Sequence, residues 1–169
     1  AGIGLEVLLL DIVPFDIKDE AKDNPAVRNS IVNGALKAAL KSKPAAFHDK
    51  KFASRITTGN FTDDFAKISD CDWIIEVVVE RLDIKKQIFE KVEQFRKEGS
   101  LVTSNTSGIP IHMMAEGRSD DFKAHFCGTH FFNPARYMRL LEIIPTADTD
   151  QAVIDFFMNY GDRFVGKQT

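Results

Sequence analysis

Cysteine is almost absent from this sequence: Cys71 and Cys127 are the two in 169 residues, and they form no CxxC or other metal-ligand pattern. That argues against a disulfide-stapled scaffold and against a zinc module, and a reducing, cytoplasmic setting is the expectation. Both cysteines read as small core residues. His48, His112 and His125 fall at no metal spacing either and read as structural or surface residues. Long apolar runs are missing too. The longest, Trp73 to Ile75 with Val77 to Val79, fall far short of the roughly 20 residues that span a bilayer, so no membrane segment is expected. Residues Ala1 to Leu10 lack the basic start and cleavage site of a secretory signal. Charge of one sign is lacking as well, since 22 Lys and Arg against 25 Asp and Glu leave a net charge of −3. The basic residues are scattered among acids and offer no field to a nucleic-acid backbone, so nucleic acid is not an expected partner. No internal repeat or low-complexity stretch occurs. What is present, 44% hydrophobic and 28% charged residues, is ordinary for one soluble domain with a full core.

Leu5 to Leu10 is a nearly unbroken apolar run ending in Asp11, which reads as a strand buried on both faces, as in a parallel sheet. Asn24 and Pro25 give an N-cap and first-turn signature. Val27, Ile31, Ala35, Leu36, Ala39 and Leu40 then recur at helical spacing to about Lys41. Arg55 to Thr58 is a candidate short strand and Asp63 to Ile68 a candidate short helix. Trp73 to Val79 is β-branched and aromatic. It leads through Glu80 into a helix from Asp83 to Lys97, with Ile84, Ile88, Phe89, Val92 and Phe95 inward and Gly99 as C-cap. Further strands are expected at Leu101 to Ser104, Phe126 to Phe131 and Leu140 to Ile144. Pro110 opens a brief helix, and a last helix runs from Gln151 to Tyr160, ended by Gly161. Strands alternating with helices throughout predict a parallel, doubly wound α/β sheet, whose ligands bind beyond the carboxyl ends of its strands.

That rule directs attention to residues just after strands. Asp11 sits where a nucleotide-binding fold places an acceptor-only carboxylate for the adenosine ribose hydroxyls, although on position alone a solvated strand-end acid is the more ordinary reading. The glycine-rich turn that should precede such a strand is missing. Ala1-Gly2-Ile3-Gly4 is too short to contain a strand, the turn and a helix, so the expected fold lacks its first βα unit. Gly161 to Lys167 matches GxxxxGK, but Gln168 stands where a magnesium ligand should be Ser or Thr, and the segment follows a helix rather than a strand. It is not read as a phosphate loop.

The chemistry-bearing residues lie between Ser104 and Glu142. The run Ser104-Asn105-Thr106-Ser107 follows a strand, so its hydroxyls and amide face the expected cleft, though such residues also serve as turn and cap formers. His130, in Gly128-Thr129-His130-Phe131-Phe132-Asn133-Pro134, stands at the end of another strand, where an imidazole can work as a base near neutral pH, although a lone histidine there is more often structural. Glu142 lies in the otherwise apolar Leu140 to Ile144 strand, where a buried carboxylate needs a partner. If the two strands are neighbours, that partner is His130. Glu76, within the strand from Trp73, reads as an edge or structurally paired acid at least as readily as a site residue. Lys85, Lys86 and Lys91 read mostly as a solvated helix face.

Ser104-Asn105-Thr106-Ser107, His130-Phe131-Phe132-Asn133-Pro134 and Glu142 together resemble the signature of 3-hydroxyacyl-CoA dehydrogenases, in motif, order and spacing. Leu8-Leu9-Leu10-Asp11 is similar to that family's ribose-binding strand, and Val78-Val79-Glu80 with Lys85 to its segment beside the nicotinamide and ribose. The likeness is greatest to the bacterial multifunctional form, in which a similar domain is joined to a second dehydrogenase domain and commonly to an enoyl-CoA hydratase-like part. The resemblance implies a Rossmann-like NAD-binding domain over residues 1–169, with the family's helical C-terminal domain absent. It implies oxidation of an (S)-3-hydroxyacyl-CoA to the 3-ketoacyl-CoA in fatty-acid β-oxidation, with acyl-CoA as substrate and either a homodimer or a fusion as the assembly. His130 would be the general base, Glu142 its partner, and Ser107 and Asn133 hydrogen-bonding groups for substrate oxygen or nicotinamide. Asp11, Glu80 and Lys85 would line the cofactor site. An acid at position 11 followed by Ile12-Val13-Pro14, with no cation, favours NAD over NADP. Without the glycine turn and the C-terminal domain, the isolated chain is expected to be inactive. Two other readings stay open: a noncatalytic dinucleotide-fold module for CoA binding or assembly, and a different Rossmann dehydrogenase of small hydroxy acids or sugars.

Overall fold

The leucine-rich run becomes β1 (Val7–Asp11), paired in parallel with β2 (Ile56–Asn60) from Val7 opposite Ile56 to Asp11 opposite Asn60. The computed structural model describes all 169 residues and divides into two compact units, Ala1–Ala66 and Lys67–Thr169. In the first unit, α1 (Pro25–Arg28) and α2 (Ser30–Lys41) connect the two strands. The Asn24 side chain caps α1 by accepting the Ala26 N–H at 2.9 Å, and Pro25 occupies the first turn, where no N–H is needed.

The single helix that the spacing predicts is interrupted at Asn29, whose backbone (φ −97°, ψ 14°) leaves the helical region. The Asn29 side-chain oxygen accepts from Asn60 Nδ2 at 2.7 Å. Asp63, gripped by Arg28 at 2.6 and 2.7 Å, accepts from the same amide. Bonding to the end of β2 therefore outweighs helix continuity. Val32 on α2 is buried, but β1 is half-buried along its length rather than enclosed on both faces. Within its unit a two-stranded ladder has one helical cover. The expected helix at Asp63 to Ile68 is a 3₁₀ segment, Phe65–Asp70.

The second unit holds a four-stranded sheet in the order β3 (Trp73–Glu76), β4 (Leu101–Ser104), β5 (Phe126–Phe131), β6 (Leu141–Pro145). The first three strands are parallel, and β6 is antiparallel to β5. Strands thus pair in two sheets where the sequence suggests one, while the α/β class and the dominance of parallel pairing hold. Because consecutive residues of a strand point to opposite faces, Phe126 and Cys127 belong to two different layers. On one side α3 (Leu82–Phe95) and α5 (Asp120–Ala124) bring Phe89 and Phe122 against Phe126, with ring centroids 5.1 to 5.8 Å apart. All three rings are fully buried, each worth about 1.5–3 kcal/mol of apolar transfer. On the other side α6 (Gln151–Tyr160) packs Val153 and Phe157 with Cys127, Trp73, Leu101 and Ile143. Burial pushes the Cys127 thiol up to about 12.

Three local differences from the sequence reading have physical causes. β3 ends at Glu76 rather than Val79, because the Glu76 carboxylate takes the Val78 N–H at 2.6 Å and the chain turns. The brief helix α4 (Ile111–Ala115) follows Pro110 as expected, but α5, capped by Ser119 accepting the Phe122 N–H, has no apolar period long enough to announce it. The last helix does not end at Gly161. It continues as a π-helical turn, Gly161–Val165, and stops at Gly166, whose φ of 70° suits a residue without Cβ. Gly161 is there for space: a Cβ would lie 2.5 Å from Thr169 Cγ2. No helix is long and apolar enough to cross a membrane.

Candidate active site

The antiparallel register of β5 and β6 sets His130 directly opposite Glu142. Opposed residues on such a ladder share a face with Cβ atoms about 5 Å apart, so their side chains meet. His130 Nδ1 and Glu142 Oε2 lie 2.8 Å apart. The Phe132 ring packs on the imidazole at 4.4 Å, and the His130 side chain is 17% exposed. Glu142 is 45% exposed, so it is not the buried carboxylate its apolar strand suggests; it stands on β6, an edge strand of the sheet. With Nδ1 engaged by a carboxylate, Nε2 is the nitrogen left to take a proton.

A second constellation forms beyond the ends of β3 and β4, and its centre is a lysine. Lys85, on the inward face of α3, is 1% exposed, whereas Phe95, expected inward, is 42% exposed. The Lys85 ammonium donates to Glu76 Oε1 at 2.8 Å and Oε2 at 3.0 Å and lies 3.3 Å from Glu80 Oε2. The solvated-face reading therefore fails for Lys85, because two carboxylates compensate its burial. Glu76 is the structurally paired acid. It also accepts the Ser104 hydroxyl at 2.5 Å.

Glu80 in turn accepts from the Thr106 hydroxyl, from the Ser107 N–H at 3.2 Å and from the Gly108 N–H at 3.1 Å. Burial opposes its charge, but the bonds from Thr106, Gly108 and Lys85 prevail and hold its carboxyl down to about 2. Of the Ser104 to Ser107 run, Ser104 and Thr106 are buried with their hydroxyls committed to carboxylates. Asn105 Oδ1 accepts the Phe131 N–H at 2.8 Å, and only Ser107 is exposed. The sequence signal that could have found this network was an acid within an apolar strand followed by a lysine on the next helix.

Asn133 is exposed at the start of the loop between β5 and β6. Asp11, in the first unit, closes β1; its Oδ1 accepts the Ile12 N–H at 2.7 Å. The GxxxxGK segment is the π-helical turn after α6, followed by Lys167. That lysine is 8% exposed and bonds backbone carbonyls of the β5–β6 loop.

The family described as "3-hydroxyacyl-CoA dehydrogenase, NAD binding domain" matches residues 1–169. The chain belongs to that family. Among curated relatives, a protein of Bacillus subtilis named "Probable 3-hydroxyacyl-CoA dehydrogenase" is 54% identical across 99% of this chain and 22% of its own length. One of Deinococcus radiodurans with the same name is 45% identical across 99% of this chain and 46% of its own. The chain therefore spans less than half of either relative. The crystal structure of an Escherichia coli 3-hydroxybutyryl-CoA dehydrogenase superposes with a TM-score of 0.70 at 26% identity, covering 99% of this chain and 33% of that one.

Membership of this dehydrogenase family implies NAD, and the residues present fit it. One backbone donor on Oδ1 leaves the Asp11 carboxylate with acceptor capacity for a ribose diol. Ser107 and Asn133 present exposed side chains capable of both donating and accepting.

Proposed function

We propose that this NAD-binding domain serves an enzyme that oxidises (S)-3-hydroxyacyl-CoA to 3-ketoacyl-CoA, a step of fatty-acid β-oxidation, with His130 as general base. The observation that carries this reading is the 2.8 Å contact between His130 Nδ1 and Glu142 across paired strands. A module that only binds has no use for an oriented base. Glu142 fixes the tautomer with hydrogen on Nδ1 and stabilises the imidazolium once formed. His130 Nε2 takes the substrate hydroxyl proton as the C–H bond breaks and the carbon–oxygen double bond forms. NAD, when bound, supplies the hydride acceptor. Asp11 accepts from the adenosine ribose hydroxyls, while Ser107 and Asn133 orient the substrate oxygen and the nicotinamide amide. Glu80 and Lys85 act at the cofactor site by holding the Thr106 to Gly108 backbone in shape. The much greater length of the relatives supports a domain working within a longer enzyme.

The test is NADH formation from a 3-hydroxyacyl-CoA by the full-length protein, wild type against His130→Gln. A loss of roughly two to four orders of magnitude is expected for removal of a general base. Turnover near the wild-type level in the variant would refute the assignment.

A further inference from the structure

The GxxxxGK segment plays no part in the chemistry above, yet it ends in a lysine with an unusual environment. Lys167 is 8% exposed, and its ammonium is met by backbone carbonyls. Its ammonium donates to the carbonyl oxygens of Ala135 and, at 2.6 Å, Met138, and lies 6.0 Å from the centre of the Phe131 ring. Burial lowers its pKa below the ordinary lysine value. The carbonyls it holds belong to a turn in which the Tyr137 and Met138 N–H groups both donate to Pro134 O, at 2.8 and 3.1 Å. That turn begins directly after Asn133.

The neighbouring backbone holds the same loop from its other end. Gln168 N–H donates to Arg139 O at 2.8 Å, and Leu141 N–H donates to Gln168 O at 3.0 Å, so the segment pairs beside the entry to β6. The turn at Gly166 and the close approach at Gly161 direct the chain there.

We infer that Lys167 is a positioning residue of the dehydrogenase site, clamping the loop between β5 and β6 so that Asn133 is presented in a fixed orientation next to the strand carrying His130. This rests on the proposed function for the role of Asn133, but the clamp itself can be tested without turnover. The dyad is held by the strand ladder and does not need the clamp. Asn133 lies on the loop and does.

The experiment uses the full-length protein with Lys167→Met, Asn133→Ala and the double variant, and a Lys167→Arg control that keeps donors. Hydrogen exchange over residues 134–138 is measured together with kcat and the KM for NAD and for 3-hydroxyacyl-CoA. Lys167→Met is expected to speed exchange in the turn and to lower kcat/KM for the acyl substrate about tenfold or more, as a small misplacement of a positioning group does. In the Asn133→Ala background the same change should cost nothing further, because the two act as a unit. Lys167→Arg should restore part of the protection and part of the rate. If Lys167→Met fails to fold, exchange and rate in Lys167→Arg with and without Asn133→Ala carry the same comparison. Unchanged exchange, or losses that simply add, would overturn the inference. A wild-type protein without turnover would overturn the functional reading instead, and exchange alone then decides the clamp.

Discussion

Replacing Lys85 by Met removes a cation but keeps most of the side chain's volume, and the structure fixes what is left behind. Glu76, with its side chain 1% exposed, loses contacts of 2.8 and 3.0 Å to the ammonium, and Glu80 loses one of 3.3 Å. Stranding one member of a buried ion pair typically costs about 3–5 kcal/mol. Glu76 would keep the Ser104 hydroxyl and the Val78 N–H, which points to the lower end, near about 3 kcal/mol. For a domain whose whole stability is about 5–15 kcal/mol that is a large fraction. In a chain of this size it should lower Tm by roughly 6–12 °C. Urea unfolding followed by the fluorescence of Trp73, the chain's single tryptophan, reads the change directly, because its indole donates to Thr103 within the same sheet. The midpoint should fall with an unchanged m-value. Adding Glu76→Gln should recover stability, since the amide removes the stranded charge and still accepts from Ser104. A single variant within about 1 kcal/mol of wild type, a small fraction of the cost of a stranded buried charge, or a double variant weaker than the single, would refute this account of Lys85.

Three further outcomes follow from geometry already given. Glu142→Gln keeps the shape of the dyad but not its charge, so kcat should fall with little change in KM for NAD; equal rates would remove Glu142 from the mechanism. Glu80 is held to about 2 against an ordinary 4.5, so its contribution to stability is complete above about 4.5 and is lost as pH falls through about 2. A carboxyl titration followed by NMR should show that depressed midpoint, and a midpoint above 4 would contradict it. Gly128→Ala puts a Cβ 2.8 Å from Ile111 Cδ1 and 3.0 Å from Ile144 Cβ, so the Ile111 side chain must move and β6 must give slightly. A loss of about 1–3 kcal/mol is expected, and a neutral change in a thermal melt would show the layer to be more pliant than drawn.

The elements most legible in the sequence were those with a strong local period. α3 was marked by the spacing of Phe89 and Val92, and both are buried. The pairing of His130 with Glu142 was expected from neighbouring strands and is observed, although the burial of Glu142 that prompted it is not. The loss of helix at Asn29 was not legible, since its cause is an amide on Asn60, far along the chain. Lys85 was misjudged for the same reason. Its burial depends on Glu76 and Glu80, which local charge patterning cannot place, and a lysine flanked by Lys86 looks solvated. Ser104 and Thr106 were read as facing a cleft because strand-end hydroxyls usually do, yet their carboxylate acceptors turn both inward.

The antiparallel pairing of β5 with β6 separates two kinds of change open to this chain. An insertion between Phe132 and Leu140 lengthens the connector between two rungs of a fixed ladder, so His130 and Glu142 keep their spacing whatever the connector's length. A one-residue slip within either strand sends His130 and Glu142 to opposite faces. Variation in this region reshapes what the loop meets, Asn133 included, while leaving the opposition of His130 and Glu142 as it stands. The loop is the adjustable part of the site, and the ladder is the part that must be inherited whole.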